Sequence, residues 1–405
     1  QIVAPTDGLE VRRTKSPTDG QEACRKSTTD FQSVAQIVAQ IDGLEVRRTK
    51  APTDGLEACR KSTTDFQSVA QSVAPTDGLE VRRTKAPTYG LEVRRTKTPT
   101  DGLEVRRTKA LTDGRDAAPA GFSFQQQKDR LRILLRAEPI VDFVFHDEKI
   151  RRPYFANARL TDERQVTRNH PPVKDVDAVD HDTMHPGIWL GFGDISGQDF
   201  WRNKAAMEHV RFVTAPTIAD GRLRFTTECR LQTSQGEPLC LLTNDFTLTA
   251  RPNGWLLVWK AEFRADQREI VFGDQEEMGF GARVATPFTE KNGGTIRSST
   301  GKRTAKETWG QPAKWCDYSG PGPQSGGILL MASDKNFRES WWHNRDYGVF
   351  VANPFGREAM KQGARSAITV AKGETLKITF GALIHDGSDH DSAREYEAFL
   401  KSQKE

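Results

Sequence analysis

Twenty-two residues, Asp180 to Trp201 (DHDTMHPGIWLGFGDISGQDFW), hold two of the chain's eight histidines, two of its eight tryptophans, four aspartates and four glycines. Titratable groups set among flat apolar rings offer a polar ligand hydrogen bonds and stacking surfaces together. A sugar needs both. His181 and His185 stand four apart, a spacing that holds zinc on a helix, but Pro186 biases His185 away from helical backbone. The other readings are a loop whose histidines face a ligand, or a structural loop in which Asp180 or Asp182 satisfies them. Asp194 and Asp199 flank Ser196-Gly197, so each reads either as a turn cap or as a substrate contact. Trp189 and Trp201 are the stacking candidates here.

Three later segments repeat this make-up. In FGDQEEMGFGARVATP (272–287), Glu276 and Glu277 on a strand would point to opposite faces, so only one can enter a shared cavity. Arg283 could pair with that acid or with an anionic substrate. WGQPAKWCDYSG (309–320) adds Trp309, Trp315, Asp317 and Tyr318, and SWWHNRDYG (340–348) adds Trp341, Trp342, His343, Arg345 and Asp346. A single tryptophan is more often core than platform. Charge beside aromatic rings in four segments points either to a wet concave site or to a dense ion-pair network, because unpaired buried charge is costly.

Acid–base chemistry on a sugar needs a histidine titrating near neutrality and a carboxylate across the ring. His185 or His343, with Glu276 or Glu277, are the catalytic candidates. The substrate-binding candidates are His181, Trp189, Asp194, Asp199, Trp201, Arg283, Trp315, Asp317, Trp342, Arg345 and Asp346. Two carboxylates could instead do glycosidase work. No G-x-S-x-G elbow, P-loop or dinucleotide fingerprint stands in a convincing context. No cofactor is called for.

The elements that position these residues read as strands. Leu131, Ile133 and Leu135 alternate, and Ala137-Glu138-Pro139 turns the chain into IVDFVFHD. Leu223, Phe225, Thr227, Cys229 and Leu231 share one face. FTLTA and WLLVWKAEF flank Arg251-Pro252-Asn253-Gly254, a hairpin signal. ILLMA, YGVFVANPF, SAITVA and LKITFGALI add strands. One helix is expected, Ser392 to Ser402, with Ala393, Tyr396, Phe399 and Leu400 as its apolar stripe. Many short strands with frequent turns predict a large antiparallel β-sandwich.

That sandwich should occupy residues 118–405. Residues 1–117 are repetitive: GLEVRRTK starts at Gly8, Gly43, Gly78, Gly90 and Gly102, and STTDFQSVAQ at Ser27 and Ser62. Folded repeats keep an apolar skeleton and let the surface drift, whereas here the surface is copied and the apolar content is thin. The segment is therefore expected to be disordered, with a basic RRTK tether as the alternative. Lys+Arg number 20 against 17 Asp+Glu in residues 1–117, and 39 against 38 in the rest. The near-neutral remainder gives no electrostatic case for nucleic acid. No stretch approaches the roughly 18 apolar residues of a membrane span, so a soluble product is expected. The chain opens at Gln1 with no basic-then-apolar leader, as expected of a fragment, a processed product or a poorly chosen reading frame. Five cysteines without metal-type spacing support neither a disulfide framework nor a zinc site; Cys229 and Cys240 could face each other on adjacent strands, but two separate buried thiols are expected.

RPYFANARL, QVTRNHPP, DHDTMHPGIWLGFGDISGQDFWRNK, FGDQEEMGFGARVATP, WCDYSG and SWWHNRDYGVFVANPFGR, in this order, resemble the PmoA-like family of unknown function. The resemblance runs from about Phe122 to beyond Arg357 and leaves the repeats out. It implies a large β-sandwich similar to galactose mutarotases, a link to sugar catabolism, and members that are often exported. Its label, "methane oxygenase PmoA", does not suit a chain without a membrane span. Mutarotase-type enzymes use a histidine and a glutamate on the sugar ring, but no such pair aligns residue by residue here. Two readings follow: an epimerase, lyase or hydrolase acting on a sugar or modified sugar, or a non-catalytic glycan-binding sandwich. A third is a metal-dependent variant using His181, His185 and Asp194 or Asp317.

Overall fold

Alternation decides the strands. Arg130–Leu135 buries Leu131, Ile133 and Leu135 and leaves the residues between them half-covered. In Arg222–Gln232 the same period buries Leu223, Phe225, Thr227, Cys229 and Leu231. A strand's side chains face alternate sides, so this pattern lays one face on a core. The turn after Leu135 differs from the sequence expectation. Leu135 pairs with Glu138 across a two-residue loop in which Arg136 and Ala137 both have positive φ (56° and 67°). That is the twist a tight hairpin requires. Pro139 is thus not in the turn but inside strand Glu138–Val144, next to a register shift at Ile133/Leu134 where its missing N–H is tolerated.

A computed structural model describes residues 121–322, 325–387 and 390–403, with the backbone of three strands nearer the start: Glu80–Val81, Tyr89–Arg95 and Leu103–Lys109. The chain divides into two units, Gln1–Asp116 and Ala117–Glu405. In the first, those three strands form one sheet; the expectation of disordered repeats otherwise falls outside the described residues.

The second unit is nearly all β. Its first sheet runs, edge to edge, Phe122–Gln126, Arg130–Leu135, Glu138–Val144, Tyr154–Ala156, Ile188–Phe192, Met278–Arg283, Val349–Asn353 and Trp341–Trp342. The second runs Ala206–Ala219, Arg222–Gln232, Pro238–Arg251, Gly254–Arg264, Thr375–His385, Gly327–Ala332, Trp315–Ser319 and Thr295–Ser298. All pairings in both are antiparallel. Their inner faces meet through rings: Phe143 lies 5.0 Å from Phe246, Phe155 5.7 Å from Trp259, and Phe280 stacks on Phe380 at 5.2 Å. Cys229, Cys240 and Cys316 are buried free thiols.

Both outer faces are partly covered. On the second sheet, Leu256, Val258, Leu329, Met331 and Leu383 pack under Tyr396 and Phe399 of helix Ser392–Ser402. Asp391 caps that helix by accepting hydrogen bonds from the N–H groups of Ala393 and Arg394. On the first sheet, Tyr154, Trp189, Val349 and Val351 lie under Trp201, with Met184 and Tyr347 packed against the group. Double burial explains why Gly327–Ala332 and Val349–Asn353 are apolar without alternation. No helix among the described residues is long and apolar enough to cross a membrane.

Candidate functional site

The outer face of the first sheet gathers most of the predicted residues. In strand Met278–Arg283, Met278, Phe280 and Ala282 enter the core, which leaves Gly279, Gly281 and Arg283 to face outward. The glycines make room for indoles. A Cβ on Gly281 would stand 2.9 Å from Trp189 Cζ2, and one on Gly191 would stand 3.1 Å from Trp201 Cε3. Trp189 and Trp201 meet edge to face at 5.5 Å. His185 stacks on Trp189 at 5.2 Å and 16°, and meets the Trp201 edge at 5.8 Å. Burial, followed by the charge of Arg283, pushes the His185 imidazole well below its usual range. It is a packed neutral ring, not a histidine titrating near neutrality.

Above this floor sits a guanidinium cluster. Arg283, 1% exposed, donates two hydrogen bonds to Asp180 (2.9 and 3.1 Å) and lies 4.7 Å over the Tyr347 ring. Arg168, also buried, donates to the carbonyls of Ala178, Asp180, His181 and His185, and its Nη1 is 3.9 Å from Asp180. Burial lowers Arg168 to about 10, and Arg152, which clamps the carbonyls of Phe200, Trp201 and Met184, to about 10 as well. Burial alone would raise the Asp180 carboxyl, but hydrogen bonds from Arg283 and His181 and the charges of Arg283 and Arg168 hold it well below the carboxylate range. His181, at φ 49°, is half-exposed, with its Nδ1 2.9 Å from Asp180. Asp180, Arg168 and Tyr347 had no place among the sequence candidates. Asp180 was visible only as a neighbour of His181.

The second half of the face is built around Glu276. Its Oε2 lies 2.7 Å from Arg345 Nη2 and 3.2 Å from Nδ1 of buried His343. The histidine contact has ion-pair distance without hydrogen-bond alignment. Burial would raise the Glu276 carboxyl, but His343 and Arg345 outweigh it and hold it below its ordinary value. Both contacts fall on Oε2, leaving Oε1 with no partner among the described residues. Asn353, fully buried, fixes the backbone here: its Nδ2 donates to the carbonyls of Gln275 (2.7 Å) and Glu276 (3.0 Å), and its Oδ1 accepts from Phe355 and Gly356. Half-buried Trp309 faces the cations of Arg345 (5.9 Å) and Lys361 (5.6 Å). Tyr347 joins the two halves: its ring lies under Arg283, and burial raises its hydroxyl against the opposing charges of Arg345 and Arg283.

Other candidates go elsewhere. Glu277 turns away from Glu276 to pair with Arg202 at 2.9 Å. Asp194 caps a turn by accepting from the Gly197 N–H (2.8 Å), and Asp199 does so from the Arg202 N–H (2.9 Å) while pairing with Lys204. Trp342 is fully buried in the main core, its Nε1 donating to the Ala313 carbonyl, so it has no face to offer a sugar. Trp315 packs under the C-terminal helix. Asp346 is half-exposed beside Lys291 (3.7 Å). Asp317 lies on the second sheet's outer side with His385 and His390, not with His181 and His185. A cavity of about 610 Å³ is lined by Ser196, Gln198, Thr233 and Arg268, next to Asp194 and Asp199 in the chain; Glu276 and His343 do not line it.

The sequence matches the Family of unknown function (DUF6807) over residues 130–399, and the chain belongs to that family. No curated protein matches it. Among solved structures, it is similar to a galactose 1-epimerase from Lactobacillus acidophilus NCFM, with TM-score 0.37 and 9% identity over 66% of this chain and 98% of that one. It is also similar to a galactose mutarotase-like protein from Lactobacillus casei ATCC 334, with TM-score 0.32 and 10% identity over 65% of this chain and 100% of that one. A β-arabinopyranosidase gives TM-score 0.36 and 9% identity over 61% of this chain, which spans 39% of that protein. At these identities and TM-scores no residue role is carried over from them.

Proposed function

We propose that this DUF6807 chain is a carbohydrate-active enzyme in which Glu276 and His343 perform acid–base chemistry on a sugar or modified sugar. The carrying observation is the placement of Glu276. Its half-buried carboxylate is held ionised by His343, 3.2 Å away, and by Arg345, with Oε1 left without a hydrogen-bond partner among the described residues. An ionised carboxylate so placed can take a proton from a substrate hydroxyl or carbon acid, while the adjacent imidazole gives or receives the second proton. Arg345 orients the base, and Trp309 offers an indole face to the apolar side of a pyranose. The resemblance of the motifs to the PmoA-like family supports the sugar class. On this reading residues 1–117, which contain no histidine or tryptophan, take no part in the chemistry.

A second reading is glycan binding without turnover on the same face, favoured by the Trp309 and Tyr347 rings that flank Arg345 and Arg283 there. Thermal shift of the full chain against monosaccharides, keto-sugars and oligosaccharides separates the cases, since a ligand of the folded state raises the melting temperature by mass action. A sugar-specific rise that weakens in Arg345→Ala supports a sugar site on this face. A rise untouched by Arg345→Ala and Glu276→Gln moves the site elsewhere.

A further inference from the structure

Next to Glu276, cations set against aromatic rings continue along the edge of the first sheet. Residues 354–366 form a loop clamped to the backbone that presents Glu276. Asp274 accepts from the N–H groups of Glu358 (2.9 Å), Ala359 (3.0 Å) and Ser366 (2.7 Å), and Asn353 ties Gln275 and Glu276 to Phe355 and Gly356. Gly310, at φ 68°, brings the Trp309 turn onto this loop, where a Cβ would stand 2.7 Å from the Met360 carbonyl oxygen. Lys361 of the loop thus lies 5.6 Å from the Trp309 ring, which Arg345 also faces at 5.9 Å. A second station adjoins the first. Arg338 lies 5.3 Å over Trp341, in the edge strand Trp341–Trp342, and 5.6 Å over Phe337, which is 37% exposed. Trp341 bridges to Pro312, and the Gly310 N–H donates to the Trp342 carbonyl at 2.8 Å, so neighbouring segments carry the two stations.

Two observations mark this run as a place for negative charge. Arg338, Arg357 and Lys361 form no ion pair among the described residues. Arg357 donates to the carbonyls of Ala364 (2.6 Å) and Arg365 (3.4 Å), and Arg338 to the Pro354 carbonyl (3.4 Å) and the Ser366 hydroxyl (3.3 Å). These acceptors are neutral and leave both charges uncompensated. Asp274 spends both oxygens on backbone N–H groups, and Glu358, the one acid of the loop, pairs with none of the three cations. Burial, then the like charge of Arg357, lowers Arg338 below its ordinary range against the opposing Asp274. An anion arriving there meets cations with no competing carboxylate to displace. The second observation is at Arg345, whose side chain is 31% exposed. Its Nη2 holds Glu276 and its Nη1 reaches the Asn344 carbonyl at 3.4 Å. A guanidinium has five N–H donors in a planar fork that suits a carboxylate, so donors stay open beside Glu276.

Resting on the sugar reading of Glu276, we propose that the sugar is anionic, with carboxylate or sulfate groups held by Arg345, Lys361 and Arg338 with Arg357, and with Trp309 backing the ring. An oligosaccharide carrying one charge per sugar matches cations that alternate with indole faces.

The test is calorimetric titration of the full chain with galactose, galacturonate, trigalacturonate and galactose 6-sulfate, at low and high salt. The charged sugars should bind at least about 10-fold more tightly than galactose, and salt should erode the difference, as it does for exposed charges. Lys361→Met and Arg357→Met, both in the loop, should each weaken the charged sugars about 10-fold, the loss of one charge-assisted contact. Lys377→Met removes the same charge from the second sheet, where Lys377 pairs with Glu262, and should leave binding unchanged. Tighter binding of the uronates than of the sulfate identifies carboxylate as the group recognised, and the reverse order identifies sulfate. Galactose bound as tightly as the charged sugars would overturn the proposal and leave the sugar reading standing. Charged sugars weakened no more by Lys361→Met and Arg357→Met than by Lys377→Met would also overturn it, placing the anion elsewhere. Binding of none of the four would overturn it together with the sugar reading on which it rests.

Discussion

The guanidinium cluster predicts an asymmetry between its partners. Asp180 is the one carboxylate shared by Arg283 (2.9 Å) and Arg168 (3.9 Å); both arginine side chains are 1% exposed, whereas Asp180 is 41% exposed. Arg283→Met removes one cation and leaves a carboxylate that can rehydrate and still faces Arg168. Two charge-assisted hydrogen bonds are lost, but much of their strength is returned by water, so a destabilisation of about 2 kcal/mol is expected. Asp180→Asn is worse, because it strands buried guanidinium charge, and breaking a buried pair that way costs about 3–5 kcal/mol. The double variant should be more stable than Asp180→Asn alone, with a coupling of about 1–3 kcal/mol. Urea unfolding of the four proteins, followed by tryptophan fluorescence, reads all three terms. The reasoning is refuted if Arg283→Met proves the costlier change, or if the two substitutions add.

Gly281→Ala places a methyl 2.9 Å from Trp189 Cζ2 and 3.0 Å from Val351 Cγ2, both fully buried, so overpacking should cost about 1–3 kcal/mol and change the near-UV dichroism of the indoles. An unchanged urea midpoint would contradict that packing. Asn353→Ala leaves the carbonyls of Gln275 and Glu276 and the N–H groups of Phe355 and Gly356 without their partner, at about 2–4 kcal/mol, and should weaken whatever Glu276 binds. Wild-type stability in that substitution would remove Asn353 as the brace of Glu276. Stability should also fall as pH drops from 7 to 5. Burial lowers His185 well below 6.5 and His170 to about 4, so below 6.5 the unfolded chain binds protons that the fold excludes. Each such group contributes a slope of at most about 1.4 kcal/mol per pH unit. A urea midpoint independent of pH over that range would contradict the burial of these rings.

Local pattern made the sheets legible. Leu223 to Leu231 alternate because one face meets the core, and Arg251-Pro252-Asn253-Gly254 reads as a hairpin because few other sequences turn so tightly. The helix was readable from Tyr396 and Phe399, which cover the second sheet's outer face. Partnership was not legible. Whether His343 meets Glu276 depends on two strands brought together from 67 residues apart, and nothing in either segment encodes it. The same holds for Asp317 with His385 and His390, whose convergence comes from antiparallel pairing through Gly327–Ala332. Trp342 and His343 show the other limit. They are neighbours in sequence, yet alternation sends the indole into the core and leaves the imidazole beside Glu276.

The central claim, that Glu276 and His343 act together on a sugar, is tested most directly by following turnover in proton NMR. The full chain would be incubated with any sugar that shifts its melting temperature, beside Glu276→Gln and His343→Gln. The account predicts proton exchange or product formation in the wild type, reduced about 10²–10⁴-fold in each variant, as loss of a general acid or base requires, with sugar binding largely kept. Turnover that survives in Glu276→Gln, or bound sugar that the wild type never changes, would contradict it.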